Sequence, residues 1–193
     1  SQKSIVIVGG GKVATKRAST LIEYCADVHI VSPTISTTLK ELLDNENITW
    51  SQKEFEPQDV EHADLVVIAT NNNDVNTKVL ESVPHHALCN HASKAQVGNV
   101  TIPSILKRGK LSISVSTNGA SPKLNKKIIS RISDMYDESY EMYIDFLYES
   151  RQLIKRLSIE PSRKQELLQH ILSDEYLDEV KQQEFTRWLH LQV

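Results

Sequence analysis

The chain has 193 residues, 39% of them hydrophobic and 24% charged, which suits a globular protein with one ordinary domain and a smaller appendage. Its formal net charge of -3 excludes a nucleic-acid-binding protein as a whole, so any anion-binding surface must be a local patch. No run approaches the roughly 18 apolar residues of a membrane span, no signal peptide is recognisable, and the chain is expected in the cytoplasm.

The first hundred residues alternate strand and helix patterns. The apolar, β-branched run at residues 5–8 predicts a strand buried on both faces, and apolar residues at helical spacing follow it from Val13. This alternation predicts an α/β fold of the Rossmann type, with a parallel sheet covered by helices on both faces. The strands are predicted at residues 5–8, 28–31, 48–50, 65–69 and 87–90.

The pattern changes after Pro103. Apolar residues at 111, 113 and 115 alternate with serines, which predicts a strand with one wet face. Ser121 and Pro122 then read as the N-cap and first residue of a helix, and almost everything beyond them is helical and charged. These shifts predict three domains: a Rossmann domain over 1–103, a small α+β domain over 104–133 and an all-helical domain over 134–193.

A glycine-rich loop joins the first strand to the first helix. Residues 9–14 fit the pattern G-x-G-x-x-A, in which Gly9 permits a tight turn and Gly11 lets a pyrophosphate approach the backbone. The N-terminus of the helix offers amide donors and a partial positive charge to the phosphates. A glycine turn without a ligand is the alternative. The predicted cofactor-binding residues of this loop are Gly9, Gly10, Gly11, Lys12 and Val13.

Two further strand ends are expected to border the cofactor, and the residues that follow each of them are called a lip of the site. The second strand ends at Ser32, Pro33 and Thr34, where a dinucleotide fold usually has an acidic residue that holds the ribose. No arginine is present there to bind a 2′-phosphate, so the sequence favours NAD over NADP. Thr70 and Asn71 follow another buried strand and form the second predicted lip of the site.

Several motifs and their spacing resemble the siroheme-synthase dehydrogenase family. The resemblance covers residues 4–135 well and the helical tail loosely. Its most discriminating motif lies at residues 116–122, because generic Rossmann proteins do not carry it. The matching segments are residues 7–14 with Lys16 and Arg17, residues 69–71 with Asn76, Cys89 and Asn90, residues 102–104, and residues 116–122.

The resemblance implies an NAD-dependent precorrin-2 dehydrogenase, which makes sirohydrochlorin in siroheme biosynthesis. It also implies a homodimer whose small domain, residues 104–133, exchanges elements between subunits. Some family members insert iron as well, and others carry a fused methyltransferase for which this chain is too short. The resemblance places Asn90, Ser116, Thr117 and Asn118 at the substrate.

The chain departs from the family at one position. Family members often have a catalytic aspartate shortly after the Cys-Asn pair, and Ser93 stands there in this sequence. His91 is the best-placed base at neutral pH, although a structural or exposed histidine is the alternative. His91 and Ser93 are therefore the predicted catalytic residues. The missing carboxylate weakens iron insertion more than the dehydrogenase activity.

Seven basic residues and no acidic residue lie between positions 107 and 131. Lys123, Lys127 and Arg131 are spaced by four and share one face of the predicted helix. They are interpreted either as a cationic rim for the carboxylates of precorrin-2 or as an ordinary solvated face. Lys123 and Lys127 are the predicted substrate-binding residues among them.

The cysteines and histidines predict no metal site. Cys25 and Cys89 lack a CxxC partner and are expected to be buried thiols in a reducing compartment. The histidines lack the spacing of a structural zinc site.

Three hypotheses remain for the function: a dehydrogenase alone, a dehydrogenase that is also a ferrochelatase, and an NAD-sensing module without catalysis. NADH production and metal insertion discriminate among them.

Overall fold

The computed structural model describes residues 3–24, 27–44 and 47–192. Contacts divide the chain into two compact units: Ser1–Ile102 with Asn118–Ala120, and Pro103–Thr117 with Ser121–Val193. No helix in the described ranges combines the length and apolar character needed to cross a membrane.

The first unit contains a five-stranded parallel sheet in the order β3-β2-β1-β4-β5. Its central strand, β1, pairs with β2 on one side and with β4 on the other. The carboxyl ends of all five strands therefore lie at one edge, where ligands bind in such folds. The strands are β1 (Ser4–Val8), β2 (Asp27–Val31), β3 (Ile48–Ser51), β4 (Leu65–Ile68) and β5 (Leu88–His91).

Helices cover both faces of this sheet. Alternate side chains of β1 enter opposite cores, so Ile7 packs with Ala14 and Ala18 on one face, and Val8 packs with Val79 on the other. The predicted α/β class, with strands buried on both faces, is confirmed. The helices are α1 (Lys12–Ile22), α2 (Thr37–Glu41) and α3 (Asn73–Ser82).

Cys89 lies in the core between α3 and the sheet. It is a free, buried thiol, as predicted, and burial raises its pKa above the ordinary value. Cys25, for which the same was predicted, lies outside the described residues.

The second unit begins with an antiparallel hairpin of β6 (Ser104–Arg108) and β7 (Leu111–Val115). Gly109 occupies the turn with φ +54, a left-handed conformation that favours glycine. Side chains along β7 alternate between half-buried and exposed, as their sequence predicts.

Helix α4 (Pro122–Met135) follows the hairpin. The hydroxyl oxygen of Ser121 accepts a hydrogen bond from the Leu124 amide at 3.2 Å, and Pro122 is the first helical residue, so both predictions are confirmed. No residue of α4 is buried in this structure. Leu124 and Met135 are exposed, whereas the helix's three isoleucines, at positions 128, 129 and 132, are half-buried in the single chain.

Three further α-helices and a short 3-10 helix (Asp174–Leu177) complete the second unit around an aromatic and aliphatic core. The ring of Phe146 stacks on that of Tyr176 at 5.4 Å, and Ile154 and Leu189 are fully buried. The domain boundary predicted at residue 133 falls inside α4. The sequence has no turn signal there, and the helix continues to Met135. The helices are α5 (Ser139–Arg156), α6 (Pro161–His170) and α7 (Glu179–His190).

Candidate nucleotide-binding site

The three glycines after β1 occupy different environments. Gly9 has φ +122, and a Cβ atom there would lie 2.4 Å from the Ala69 carbonyl oxygen. A Cβ atom at Gly10 would lie 2.0 Å from the Thr34 carbonyl oxygen. At Gly11 a Cβ atom would meet no protein atom within 4 Å. Protein packing therefore requires the first two glycines, whereas Gly11 leaves open space for a ligand.

Gly11 is also the N-cap residue of α1. It supplies no side-chain hydrogen bond, and the first turn of α1 contains no acidic residue. The amides of this turn are therefore available to an anion, and the helix dipole favours negative charge there. Lys12, the first residue of α1, is exposed beside them.

A cavity of about 690 Å³ opens at the glycine loop. It lies at the carboxyl ends of β1, β2 and β4, and its lining brings together all the predicted cofactor-binding residues. Glu54 and Phe55, which follow β3, also line it and were not predicted. The predicted residues in the lining are Gly9, Gly10, Gly11, Lys12, Val13, Ser32, Pro33, Thr34, Thr70 and Asn71.

Hydrogen bonds within the protein hold the lip after β2 in place. The Ser32 hydroxyl donates to the Thr34 carbonyl at 2.7 Å, and the Ser32 carbonyl accepts from the Trp50 indole at 2.9 Å. Ser32 is buried, whereas Pro33 and Thr34 are exposed. Because the Ser32 proton is already engaged, its hydroxyl can only accept from a ribose.

The lip after β4 is fixed by a buried asparagine. The Thr70 hydroxyl donates to the Asn76 side-chain oxygen at 2.7 Å, and the Asn76 amide donates to the Thr70 carbonyl at 3.2 Å. Asn72 caps α3 by accepting from two backbone amides. Thr70 therefore shapes the loop, and the exposed Asn71 is the side chain free to turn toward a ligand.

His91 lies at the end of β5 and is only 5% exposed. Its Nδ1 atom accepts from the Lys94 amide at 3.3 Å and lies 3.4 Å from the Ser93 hydroxyl oxygen. Burial, and then the charge of Lys94, lower the pKa of His91 below 6.5. The imidazole is therefore neutral at pH 7, and because Nδ1 accepts from the Lys94 amide, the ring proton is assigned to Nε2.

Asn90 is also buried. Its amide donates to the Val100 carbonyl at 3.0 Å, and its side-chain oxygen has no partner within the described residues. Asn90, His91 and Ser93 do not line the described cavity at the glycine loop. The structure thus places the predicted catalytic residues beside the β5 end rather than among the predicted cofactor contacts.

The lowered pKa of His91 predicts a stability that depends on pH. Between the lowered pKa and 6.5 the unfolded state binds the proton more readily, so the free energy of unfolding falls as the pH drops through this window. His91→Gln removes this contribution. We expect the stability difference between the wild type and His91→Gln to shrink on acidification.

Urea unfolding at about pH 7.5 and about pH 5.5, on either side of the ordinary imidazole value, measures this difference. The pKa of His29 is also lowered by burial, but it contributes to both proteins and cancels. An equal loss of stability on acidification in the wild type and in His91→Gln would contradict the lowered pKa of His91.

The motif at residues 116–122 forms a closed turn before α4. The Thr117 hydroxyl donates to the Ser121 carbonyl at 3.2 Å and accepts from the Ser121 amide at 3.3 Å. Asn118 and Gly119 both have left-handed backbones, with φ 48 and φ 83. A Cβ atom at Gly119 would lie 3.3 Å from that of Ala95. Thr117 thus fixes the turn, and the tripeptide 118–120 packs near the loop that follows His91.

Fewer basic side chains are available for the predicted cationic rim than the sequence implies. Arg108 donates to Ser133 at 3.0 Å, and Lys110 forms an ion pair with Asp145. These two cations are engaged within the protein. The exposed basic residues of α4 remain for a ligand: Lys123, Lys126, Lys127 and Arg131.

A glycine loop, an uncapped helix and a cavity at the strand ends define an NAD(P)-binding protein of the Rossmann class. The family described as "Putative NAD(P)-binding" matches residues 1–104. "Sirohaem biosynthesis protein central" matches residues 108–132, and "SirC C-terminal domain" matches residues 140–185.

The chain is 41% identical to precorrin-2 dehydrogenase of Priestia megaterium, over 95% of this chain and 91% of that protein. It is 35% identical to precorrin-2 dehydrogenase of Bacillus subtilis strain 168, over 78% and 93%. A solved structure of SirC, a precorrin-2 dehydrogenase, superposes with a TM-score of 0.84 at 39% identity, covering 98% of this chain and 95% of that one.

The chain belongs to the precorrin-2 dehydrogenase family, which confirms the resemblance drawn from the motifs. It also matches the siroheme synthase of Zymomonas mobilis at 30% identity, over 72% of this chain but 30% of that longer protein. Within the described ranges, no three His, Cys, Asp or Glu side chains are grouped so that they could hold a metal ion.

Proposed function

We propose that this chain catalyses the NAD-dependent oxidation of precorrin-2 to sirohydrochlorin. Membership of the precorrin-2 dehydrogenase family supports the reaction. The observation that carries the cofactor assignment is the open space at Gly11, which adjoins the uncapped amides of α1. This space is where a pyrophosphate would approach the backbone.

The residues around the cavity have distinct roles in this proposal. Gly9 and Gly10 keep the loop close to the strand ends, and the amides that begin α1 bind the pyrophosphate with Lys12 beside them. The exposed Thr34 and Asn71 contact the two ends of the dinucleotide. A bound NAD would supply the hydride acceptor, and these residues would hold and orient it.

Oxidation of precorrin-2 also releases a proton. His91 could accept it at Nδ1 only by giving up the hydrogen bond from the Lys94 amide, and its lowered pKa opposes this. As a neutral imidazole, His91 is better suited to donate a hydrogen bond through Nε2. We therefore propose that His91 positions the substrate, with the exposed Ser93 beside it, in place of the base expected from the sequence.

Precorrin-2 carries several carboxylates, which require cations. Lys123 and Lys127 are exposed on α4, whose N-terminus is already capped by Ser121. Precorrin-2 is the proposed ligand of these two lysines and, separately, of Asn90, Ser116, Thr117 and Asn118. Thr117 acts there through the turn that it closes.

A homodimer is part of the proposal. Helix α4 has no buried residue in the single chain. Two of its apolar side chains are well exposed, Leu124 at 49% and Met135 at 68%. An apolar helix surface of this kind is typically covered by another chain, and a second copy is the occupant implied by the family. A cytoplasmic location stays a prediction.

Anaerobic incubation with precorrin-2 and NAD tests the reaction. We expect NADH to form in step with sirohydrochlorin, measured from the spectra of both, and no acceleration of Fe(II) or Co(II) insertion. Accelerated metal insertion would identify a dehydrogenase that is also a ferrochelatase. NAD binding without NADH formation would contradict the proposal and leave an NAD-sensing module.

A further inference from the structure

We propose that Glu54 makes this chain select NAD over NADP, an inference that rests on the proposed function. Glu54 is the only carboxylate among the described residues that line the cavity at the glycine loop. It belongs to the loop after β3, whereas the acidic residue that holds a ribose usually ends β2. The carboxylate missing from the β2 end is thus supplied by the neighbouring strand's loop.

The segment that carries Glu54 is anchored on both sides. Before it, Lys53 forms an ion pair with Glu56 at 2.7 Å. After it, the Phe55 side chain is 5% exposed, and the Phe55 carbonyl accepts from the Lys78 ammonium at 3.2 Å. The backbone of Glu54 is therefore held in place, and its exposed side chain stays at the rim of the cavity.

The Glu54 carboxylate is available to a ligand. No hydrogen bond or ion pair involves its side chain in the part of the chain that the structure describes. The neighbouring β2 lip offers only weaker acceptors, because its side chains, Ser32 and Thr34, carry neutral hydroxyls rather than a carboxylate. Glu54 is thus the strongest acceptor available for ribose hydroxyls on this side of the cavity.

Charge determines the selection. A carboxylate accepts hydrogen bonds from the 2′- and 3′-hydroxyls of a ribose, and such charge-assisted bonds are stronger than neutral ones. A 2′-phosphate placed there would meet a like charge. Among the described residues of the cavity lining, Lys12 is the only cation, and it lies at the start of α1, beside the place for the pyrophosphate.

The test compares ADP-ribose with 2′-phospho-ADP-ribose, which differ only at the 2′ position. Calorimetry on the full chain gives a Kd for each, and we expect the wild type to prefer ADP-ribose. Glu54→Gln keeps the side-chain shape and should lower this preference about 10-fold, the value of one charged hydrogen bond. Glu54→Arg should reverse it.

Glu61→Gln is the matched control, because it removes the same charge from an exposed residue outside the cavity lining. An unchanged preference in Glu54→Gln, or a wild type that binds both ligands equally, would overturn the proposal. Should Glu54→Gln fold poorly, Glu54→Ala provides the same comparison. The assay needs no precorrin-2, so a failure to form NADH with an intact binding preference would overturn the proposed function alone.

Discussion

Gly11→Asp is expected to abolish NAD binding without destabilising the protein. Gly11 has φ -89, which any residue can adopt, and a Cβ atom there meets no protein atom within 4 Å. Aspartate is a preferred N-cap residue, so its carboxylate would itself accept from the first amides of α1 and add a few tenths of a kcal/mol to stability. The same carboxylate would occupy and repel the pyrophosphate position.

Because the variant should lose NAD affinity while gaining stability, unfolding could not account for the loss of binding. We expect the Kd for NAD to rise roughly 100-fold or more, because like charges brought together cost several kcal/mol. Calorimetry measures the Kd, and thermal unfolding measures the stability. Gly10→Ala is the contrasting variant, since its Cβ atom would lie 2.0 Å from the Thr34 carbonyl oxygen and should lower the melting temperature. Retained NAD affinity in Gly11→Asp would refute the assignment of the loop.

Charge reversal on α4 is expected to weaken precorrin-2 binding alone. Lys123→Glu with Lys127→Glu replaces two exposed attractions with two repulsions, each worth up to about 1 kcal/mol in water. The KM for precorrin-2 should therefore rise about 10-fold, with the Kd for NAD unchanged. The rise should diminish with added salt, because salt screens exposed charges. Steady-state NADH formation at two ionic strengths measures both effects.

Lys155→Glu with Lys181→Glu is the matched control for that experiment. These lysines are exposed on α5 and α7, and their reversal changes the net charge of the chain by the same amount. An equal rise of KM in both double variants would indicate a general field of the protein rather than a rim on α4. An unchanged KM in the α4 variant would return Lys123 and Lys127 to an ordinary solvated face.

Local patterns in the sequence predicted the parts of the site that depend on neighbours in the chain. The apolar run of β1 and the glycines after it specify a buried strand and a tight turn, and Ser121 with Pro122 specifies the start of α4. Each of these features is a property of a few consecutive residues, so periodicity and turn chemistry are sufficient to recognise it.

The unpredicted features depend on residues distant in the chain. Glu54 follows the short strand β3, and nothing in the loop's composition indicates that it returns to the glycine loop. Arg108 reads as a free cation until α4 brings Ser133 within 3.0 Å of it. Thr70 reads as a ligand contact, but the buried Asn76 accepts its proton at 2.7 Å. In each case tertiary packing determines which polar groups remain available.

The different environments of the three glycines have a consequence for the evolution of such chains. Gly9 and Gly10 are constrained by the carbonyl oxygens of Ala69 and Thr34, so a side chain at either position would force the backbone around it to move. Gly11 is constrained only by what the chain binds. A descendant that had lost its dinucleotide would be free to acquire a side chain at the third position, which therefore separates inactive copies from working dehydrogenases.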